Sequence, residues 1–262
     1  MTVDSLIAGL AGLVGLALGS FLNVVITRLP QGELVWAGRS RCPHCRSPLS
    51  WRDNIPLFSY VWLRGRCRSC GAAIPWRYPL VELAGGLMAL ALWHTFPDKL
   101  LLLAYGPFCL ALVALTAIDL EHRLLPDAIT IPGTILGLLL SLVLPHLSFP
   151  EAAAGALVGA ALFYGIGRVY EKWAGRRGLG GGDVKLLAMI GAFLGVWALP
   201  LVILVSAGLG TLTGLLRVLG QGPGPRGQWR TVSLPYGPFL AAGAWCSLFW
   251  GERLLNLLSG GG

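Results

Sequence analysis

Gly178-Leu-Gly-Gly-Gly-Asp-Val-Lys185 stands at the mouth of an apolar run. Its glycines Gly180, Gly181 and Gly182 lead directly into an aspartate, Asp183. A second aspartate, Asp119, closes an earlier apolar run that ends Thr116-Ala-Ile-Asp-Leu120. Charged side chains in or beside membrane spans are costly and tend to be functional. The reading of both the fold and the aspartates therefore turns on whether these runs cross a bilayer.

Composition says that they do. The chain has 262 residues, 55% of them hydrophobic and only 12% charged, with a mean hydropathy of +0.70. A soluble domain carries about 25% charged residues. A spanning helix needs about 20 mostly apolar residues, and eight runs qualify, near residues 6–27, 79–95, 100–118, 128–144, 152–170, 184–197, 199–219 and 235–254. The sixth is short, and its border with the seventh near Ala198–Pro200 is the least defined. The interiors of the first two lack charges, apart from Glu82 near the start of the second. The expected fold is all-α: a polytopic membrane protein of about eight transmembrane helices with a small cytoplasmic zinc-ribbon-like insertion. Its parts would be a first helix at 1–27, a Cys-rich domain at 28–78 and a membrane catalytic domain at 79–262. The first run is too long for a cleavable signal peptide and lacks a basic start. Residues 220–230 read as a flexible connector and residues 260–262 as a disordered tail. No convincing internal repeat is visible.

A net charge of +8 would suggest nucleic acid for a soluble protein. Here the basic residues cluster in alternate loops, which is an orientation signal and argues against a nucleic-acid partner. Eighteen of the 20 Lys and Arg fall on one side of the eight runs, leaving only Lys99 and Arg253 on the other. The first side is then cytoplasmic, both termini face outward, and Asp119 and Asp183 share the cytoplasmic end of their helices.

Cys42-Pro-His-Cys45 and Cys67-Arg-Ser-Cys70 lie 21 residues apart. Paired Cys-x-x-Cys knuckles present four thiolates tetrahedrally, which suits a structural Zn²⁺. The alternatives are redox-active thiols or cysteines serving only as small hydrophobes, and a cytoplasmic setting argues against structural disulfides. His44 reads as a spacer, while Cys109 and Cys246 read as packing residues.

Two neighbouring carboxylates tend to hold one proton between them. The ionised member can activate a water and the protonated member can donate to a scissile carbonyl, which is aspartic-protease chemistry. The three glycines would let an extended substrate lie close to the backbone. The plainer alternatives are a flexible linker at the glycines, a helix-start role for Asp183 and helix capping for Asp127. Ser20 and Asn23 share a helix face and are candidates for interhelical hydrogen bonds. Glu121, His122 and Arg123 read as wetted loop residues.

Taken in order, several pieces resemble one family. They are Gly19-Ser-Phe-Leu-Asn-Val-Val-Ile-Thr-Arg-Leu-Pro30, the two knuckles, Arg77-Tyr-Pro-Leu-Val-Glu82, Ile118-Asp119 with Leu125-Pro126-Asp127, Gly180-x-Gly-Asp183 with Lys185, and Pro235-Tyr-Gly-Pro238. The chain resembles the type IV prepilin peptidases. That resemblance implies that Asp119 and Asp183 are the catalytic pair. It also implies cleavage of the short basic leader of prepilins and pseudopilins after a glycine, at the cytoplasmic face of the bacterial inner membrane. It further implies methylation of the new N-terminus from S-adenosylmethionine, with the cysteine insertion and Gly65 associated with that step. A basic leader meeting a basic face would need anionic membrane lipid, and an acidic well formed by Asp119, Glu121, Asp127 and Asp183. Two rivals remain. A presenilin-like protease would carry Pro-Ala-Leu where this chain has Leu234-Pro-Tyr-Gly-Pro. An ion-coupled transporter with a zinc-bound regulatory domain would place charges near the bilayer midplane.

Overall fold

The computed structural model describes residues 3–36, 38–175, 180–220 and 234–258. The connector expected at 220–230 falls outside the described residues from 221 onward, and so does the tail at 260–262. The described chain is helical, with no strand beyond two isolated bridges. Its α-helices are α1 Val3–Arg28, α2 Phe58–Trp62, α3 Arg77–Thr95, α4 Lys99–His122, α5 Asp127–Leu140, α6 Phe149–Ala174, α7 Gly181–Leu194, α8 Leu199–Gly220 and α9 Gly237–Leu258. Setting aside the short α2, each helix coincides with one of the eight apolar runs. Among the described residues, 4–31, 100–122, 149–174 and 196–220 are long and apolar enough to cross a membrane. The 14 residues of α7 extend about 21 Å, short of a hydrocarbon core of about 30 Å. The stop is local: Gly195 adopts φ +79, and a 3-10 turn, Val196–Ala198, follows before α8.

The chain divides into two compact units, residues 1–118 and 119–262. In the first, α1 packs along α3. The contact is close because Gly15 and Gly19 form a Gly-x-x-x-Gly face, the small-residue pattern that lets membrane helices approach. A Cβ on Gly19 would stand 2.8 Å from the Glu82 Cα. Polar ties close the Thr27 end: Asn23 Nδ2 donates to the Tyr78 carbonyl at 3.1 Å and the Arg77 guanidinium to Thr27 Oγ1 at 2.9 Å. The expectation of an interhelical hydrogen bond thus holds for Asn23.

Between α1 and α3 the insertion contains a repeat. Cys42 N–H donates to the Ser47 carbonyl and Cys67 N–H to that of Ala72. Arg46 N–H donates to Cys42 and Gly71 N–H to Cys67, both at 2.9 Å. Leu49 N–H reaches Ser40 at 2.8 Å as Ile74 N–H reaches Gly65 at 2.7 Å. Bridges pair Arg41 with Pro48 and Arg66 with Ala73. Each bond recurs at one constant stride, so the absence of an internal repeat expected from sequence is corrected here. Identity survives at the cysteines, at the arginines before them (Arg39 with Arg64, Arg41 with Arg66) and at the Trp-Arg pairs Trp51-Arg52 and Trp76-Arg77, while the backbone course is kept.

In the second unit α7 is the interior helix. Leu186, Leu187, Met189, Ile190 and Ala192 are fully buried, with α5, α6 and α9 packed around them. A short helix is tolerable here because other helices, rather than lipid, surround it. The α6–α7 crossing is glycine on glycine: a Cβ at Gly191 would run into the Gly155 carbonyl. Gly191→Ala should therefore destabilise the protein by about 1–3 kcal/mol through overpacking. Gly165→Ala in α6, where a Cβ meets nothing within 4 Å, should leave stability unchanged; thermal unfolding in detergent, followed by near-UV circular dichroism, compares the two.

Candidate active site and metal centre

Asp119 lies one turn before the end of α4, which runs on to His122, a turn past the apolar run read from the sequence. The side chain is buried, with Asp119 only 5% exposed. Its Oδ2 accepts the Gly237 N–H at 2.8 Å. Gly237 opens α9 and belongs to Pro235-Tyr-Gly-Pro238, so that motif supplies a backbone donor to a buried carboxylate. A side chain at Gly237 would destroy the arrangement, because its Cβ would stand 2.8 Å from that same Oδ2.

Asp183 lies in the first turn of α7, half-buried, and its Oδ2 reaches back to the Gly180 N–H at 3.2 Å. The helix-start role weighed from sequence is therefore real and uses one of its oxygens. Leu125 packs beside both Gly182, which precedes Asp183, and Gly237, whose amide serves Asp119. A Cβ on Gly182 would lie 2.8 Å from Leu125 Cβ, and one on Gly237 would lie 3.1 Å from Leu125 Cδ2. The two aspartates are near enough for the charge of Asp119 to bear on Asp183. The three glycines divide the work: Gly180 is the extended residue before the helix, Gly182 packs on Leu125, and a Cβ at Gly181 would meet nothing within 4 Å.

Sequence reading missed the Gly237 donor to Asp119, and it missed an ion pair beside Asp183. Lys185 Nζ donates to both carboxylate oxygens of Asp127 at 2.6 Å. Asp127 thus holds a cation rather than capping α5, whose N-cap Pro126 has no side-chain cap bond. The pair ties the first turn of α5 to the first turn of α7, two residues from Asp183. A lysine at the start of an apolar run was the available signal. The pairing also removes Asp127 from the expected acidic well, since its charge is matched. Glu121, His122 and Arg123 are exposed, as a wetted segment requires.

The four cysteines converge. The Sγ atoms of Cys42, Cys45, Cys67 and Cys70 all lie within 4.8 Å of one another. Cys42 and Cys70 sulfurs are 3.9 Å apart, close to the tetrahedral edge of about 3.8 Å set by metal–sulfur bonds of about 2.3 Å and far beyond a disulfide bond. The chemistry of the knuckles also suits a metal. The Ser47 hydroxyl at 2.9 Å, with the Ser47 amide, holds the Cys45 thiol down at about 6. Amides of Cys70 and Ser69 hold Cys67 below its ordinary value. At Cys70 the Ala72 amide favours the thiolate, but desolvation and the neighbouring sulfurs outweigh it and push the thiol up to about 11. A cation among the sulfurs would relieve that last cost. His44 is exposed, as expected of a spacer.

Gly65 is the knuckle residue with a second function in packing. It adopts φ +66, and a Cβ there would stand 3.0 Å from the Tyr60 hydroxyl, which donates to the Ile74 carbonyl at 3.3 Å. Beside it lies a cavity of about 430 Å³ lined by Tyr60, Arg64, Gly65, Arg66, Ile74 and Trp76. The Tyr60 and Trp76 rings stand 5.5 Å apart.

Similarity to known proteins covers most of the chain. Residues 13–96 match the bacterial peptidase A24 N-terminal domain and residues 106–215 match the type IV leader peptidase family. A prepilin leader peptidase/N-methyltransferase of Aeromonas hydrophila is 39% identical over 266 residues, 92% of this chain and 90% of that one. One from Burkholderia pseudomallei strain 1026b is 39% identical, over 94% of this chain and 86% of its own. Another from Dickeya chrysanthemi is 41% identical, over 95% and 92%. No solved structure matches. With both halves matched in order and relatives aligned nearly end to end, the chain belongs to the type IV leader peptidase family.

Proposed function

We propose that this chain is a membrane aspartic endopeptidase that removes the basic leader of type IV prepilins and pseudopilins after a glycine, and then methylates the new N-terminus. What supports the reading is that Asp119 and Asp183 lie near enough for one charge to bear on the other, with Leu125 packed beside Gly182 and Gly237. The ionised member of the pair takes a proton from a water, whose oxygen attacks the scissile carbonyl carbon. The protonated member donates to the carbonyl oxygen. Collapse of the tetrahedral intermediate breaks the C–N bond as the leaving amine receives a proton from the pair. Gly180 and Gly181 present backbone along which an extended leader can lie. The distribution of arginine supports a cytoplasmic active site in the inner membrane, with both termini outside. A transporter would need its charges near the midplane, whereas both aspartates lie within a turn or so of a helix end.

Zn²⁺ is the ion that suits four thiolates with no open position, and its role there is to staple the insertion. S-adenosylmethionine supplies an electrophilic methyl group on a sulfonium. The cavity beside Gly65 fits that donor, with Tyr60 and Trp76 as aromatic faces for an adenine and Arg64 and Arg66 as partners for a carboxylate. A second activity in the insertion then leaves the aspartate pair free for hydrolysis alone.

Four outcomes follow. Asp119→Asn or Asp183→Asn should cut leader cleavage by at least about a hundredfold with unchanged thermal unfolding; substantial cleavage by either purified variant refutes the pair. Lys185→Met and Asp127→Asn should each lower kcat about tenfold with little change in KM. The double variant should be no worse than either, as expected for one coupled contact. Trp76→Ala should weaken methyl-donor binding roughly tenfold while cleavage, read from product masses, persists. Metal analysis should find one zinc per chain, lost in Cys67→Ser.

A further inference from the structure

Glu82 is a carboxylate inside an apolar helix that the aspartate chemistry does not use. Its Oε2 accepts the N–H of Leu57 at 2.8 Å. Leu57 is the residue before α2, and it adopts a left-handed φ of +59 that a leucine rarely takes. This strained turn hangs α2 beside the second turn of α3. The depth follows from α1, because Glu82 packs against Gly19, roughly two turns, about 12 Å, inside the Thr27 end of α1.

At that depth α2 presents apolar side chains outward. Phe58 is 58%, Val61 74% and Trp62 70% exposed, with the Phe58 and Trp62 rings stacked 5.8 Å apart. Trp51 and Ile55, just before it, are exposed too. Basic residues border the patch. The Arg52 guanidinium lies 5.3 Å from the Trp51 ring centre, and Arg64 and Arg66 follow α2, both exposed. An apolar face with flanking arginines and aromatic rings is the composition of a segment lying at a headgroup boundary, buried about 5–10 Å. Arginines at that level meet lipid phosphates, and anionic lipid strengthens the attraction.

We propose that residues 51–63 form a lipid-inserted foot beneath the cysteine insertion, in the leaflet at the Thr27 end of α1. Phe58, Val61 and Trp62 enter the acyl edge, and Arg52 binds the phosphates of anionic lipid. Glu82 is the hook that sets the depth of this foot. The foot also fixes the height of the knuckles that follow it, because Gly65 N–H is bonded to the Tyr60 carbonyl at 2.8 Å.

The test places a photo-reactive p-benzoylphenylalanine at Val61 or at Trp62 of the full-length protein. The variants are irradiated in nanodiscs of mixed phosphatidylglycerol and phosphatidylcholine and read by peptide mass. Leu10 in α1, 60% exposed, serves as the lipid-facing control and His44 as the aqueous one. Lipid adducts at Val61 and Trp62 should reach yields within about threefold of Leu10, with none at His44. Those adducts should be enriched about twofold in phosphatidylglycerol relative to adducts at Leu10. Adducts to residues 119–262 or to a second copy, or the unreacted behaviour of His44, would overturn the foot. A lipid ratio equal to that at Leu10 would overturn the arginine–phosphate contact. Leader cleavage is measured on the same samples, so failure here is distinguishable from failure of the peptidase.

Discussion

A buried carboxylate at the end of an apolar helix has to be given a donor and a neighbour, and Asp119 receives both. The Gly237 N–H at 2.8 Å supplies the donor, and the neighbour is Asp183, on which the charge of Asp119 bears. Much of the second unit follows from holding those two acids together. The interior helix α7 carries Asp183 and is buried on its apolar faces by α5, α6 and α9. Freed from contact with lipid, it can be shorter than the bilayer is thick, so its polar end lies where α4 ends.

Small residues allow this placement. Gly155 and Gly191 let α6 and α7 touch backbone to backbone, and Gly182 and Gly237 leave room for Leu125 and for the Asp119 carboxylate. In hydrocarbon there is little hydrophobic gain in packing helix on helix, so close approach and satisfied polar groups decide the association. The Lys185–Asp127 pair adds a polar tie between α5 and α7 on the same side as Asp183. The first unit shows the same economy, with Gly15 and Gly19 against α3 and Glu82 bonded to the Leu57 amide.

Features that depend on local composition were legible in the sequence. All eight apolar runs became helices, because a run of apolar residues satisfies its backbone only as a helix. Their ends moved by a few residues where capping and turns intervene: α4 runs on to His122, and α7 stops at Gly195. The cysteine cluster was legible from spacing, and the aspartates from the glycines and the helix ends. What escaped was non-local or conformational. The Gly237 donor is 118 residues from Asp119 and Lys185 is 58 from Asp127, and neither pairing leaves a local trace. The knuckle repeat is kept by backbone hydrogen bonds and left-handed residues at Arg46 and Gly71, and the sequence trace that was overlooked is the Trp-Arg pair following each knuckle. Glu82 was visible as an anomaly, but its partner Leu57 offers only a backbone N–H.

The central claim is that the two aspartates act as one proton-sharing unit. The pH dependence of leader cleavage by the purified protein, measured on a synthetic prepilin under kcat/KM conditions, tests it most directly. A bell-shaped profile with two ionisations, both lost when either aspartate is replaced by asparagine, is the result the account predicts. A profile with a single ionisation that survives either replacement would contradict it.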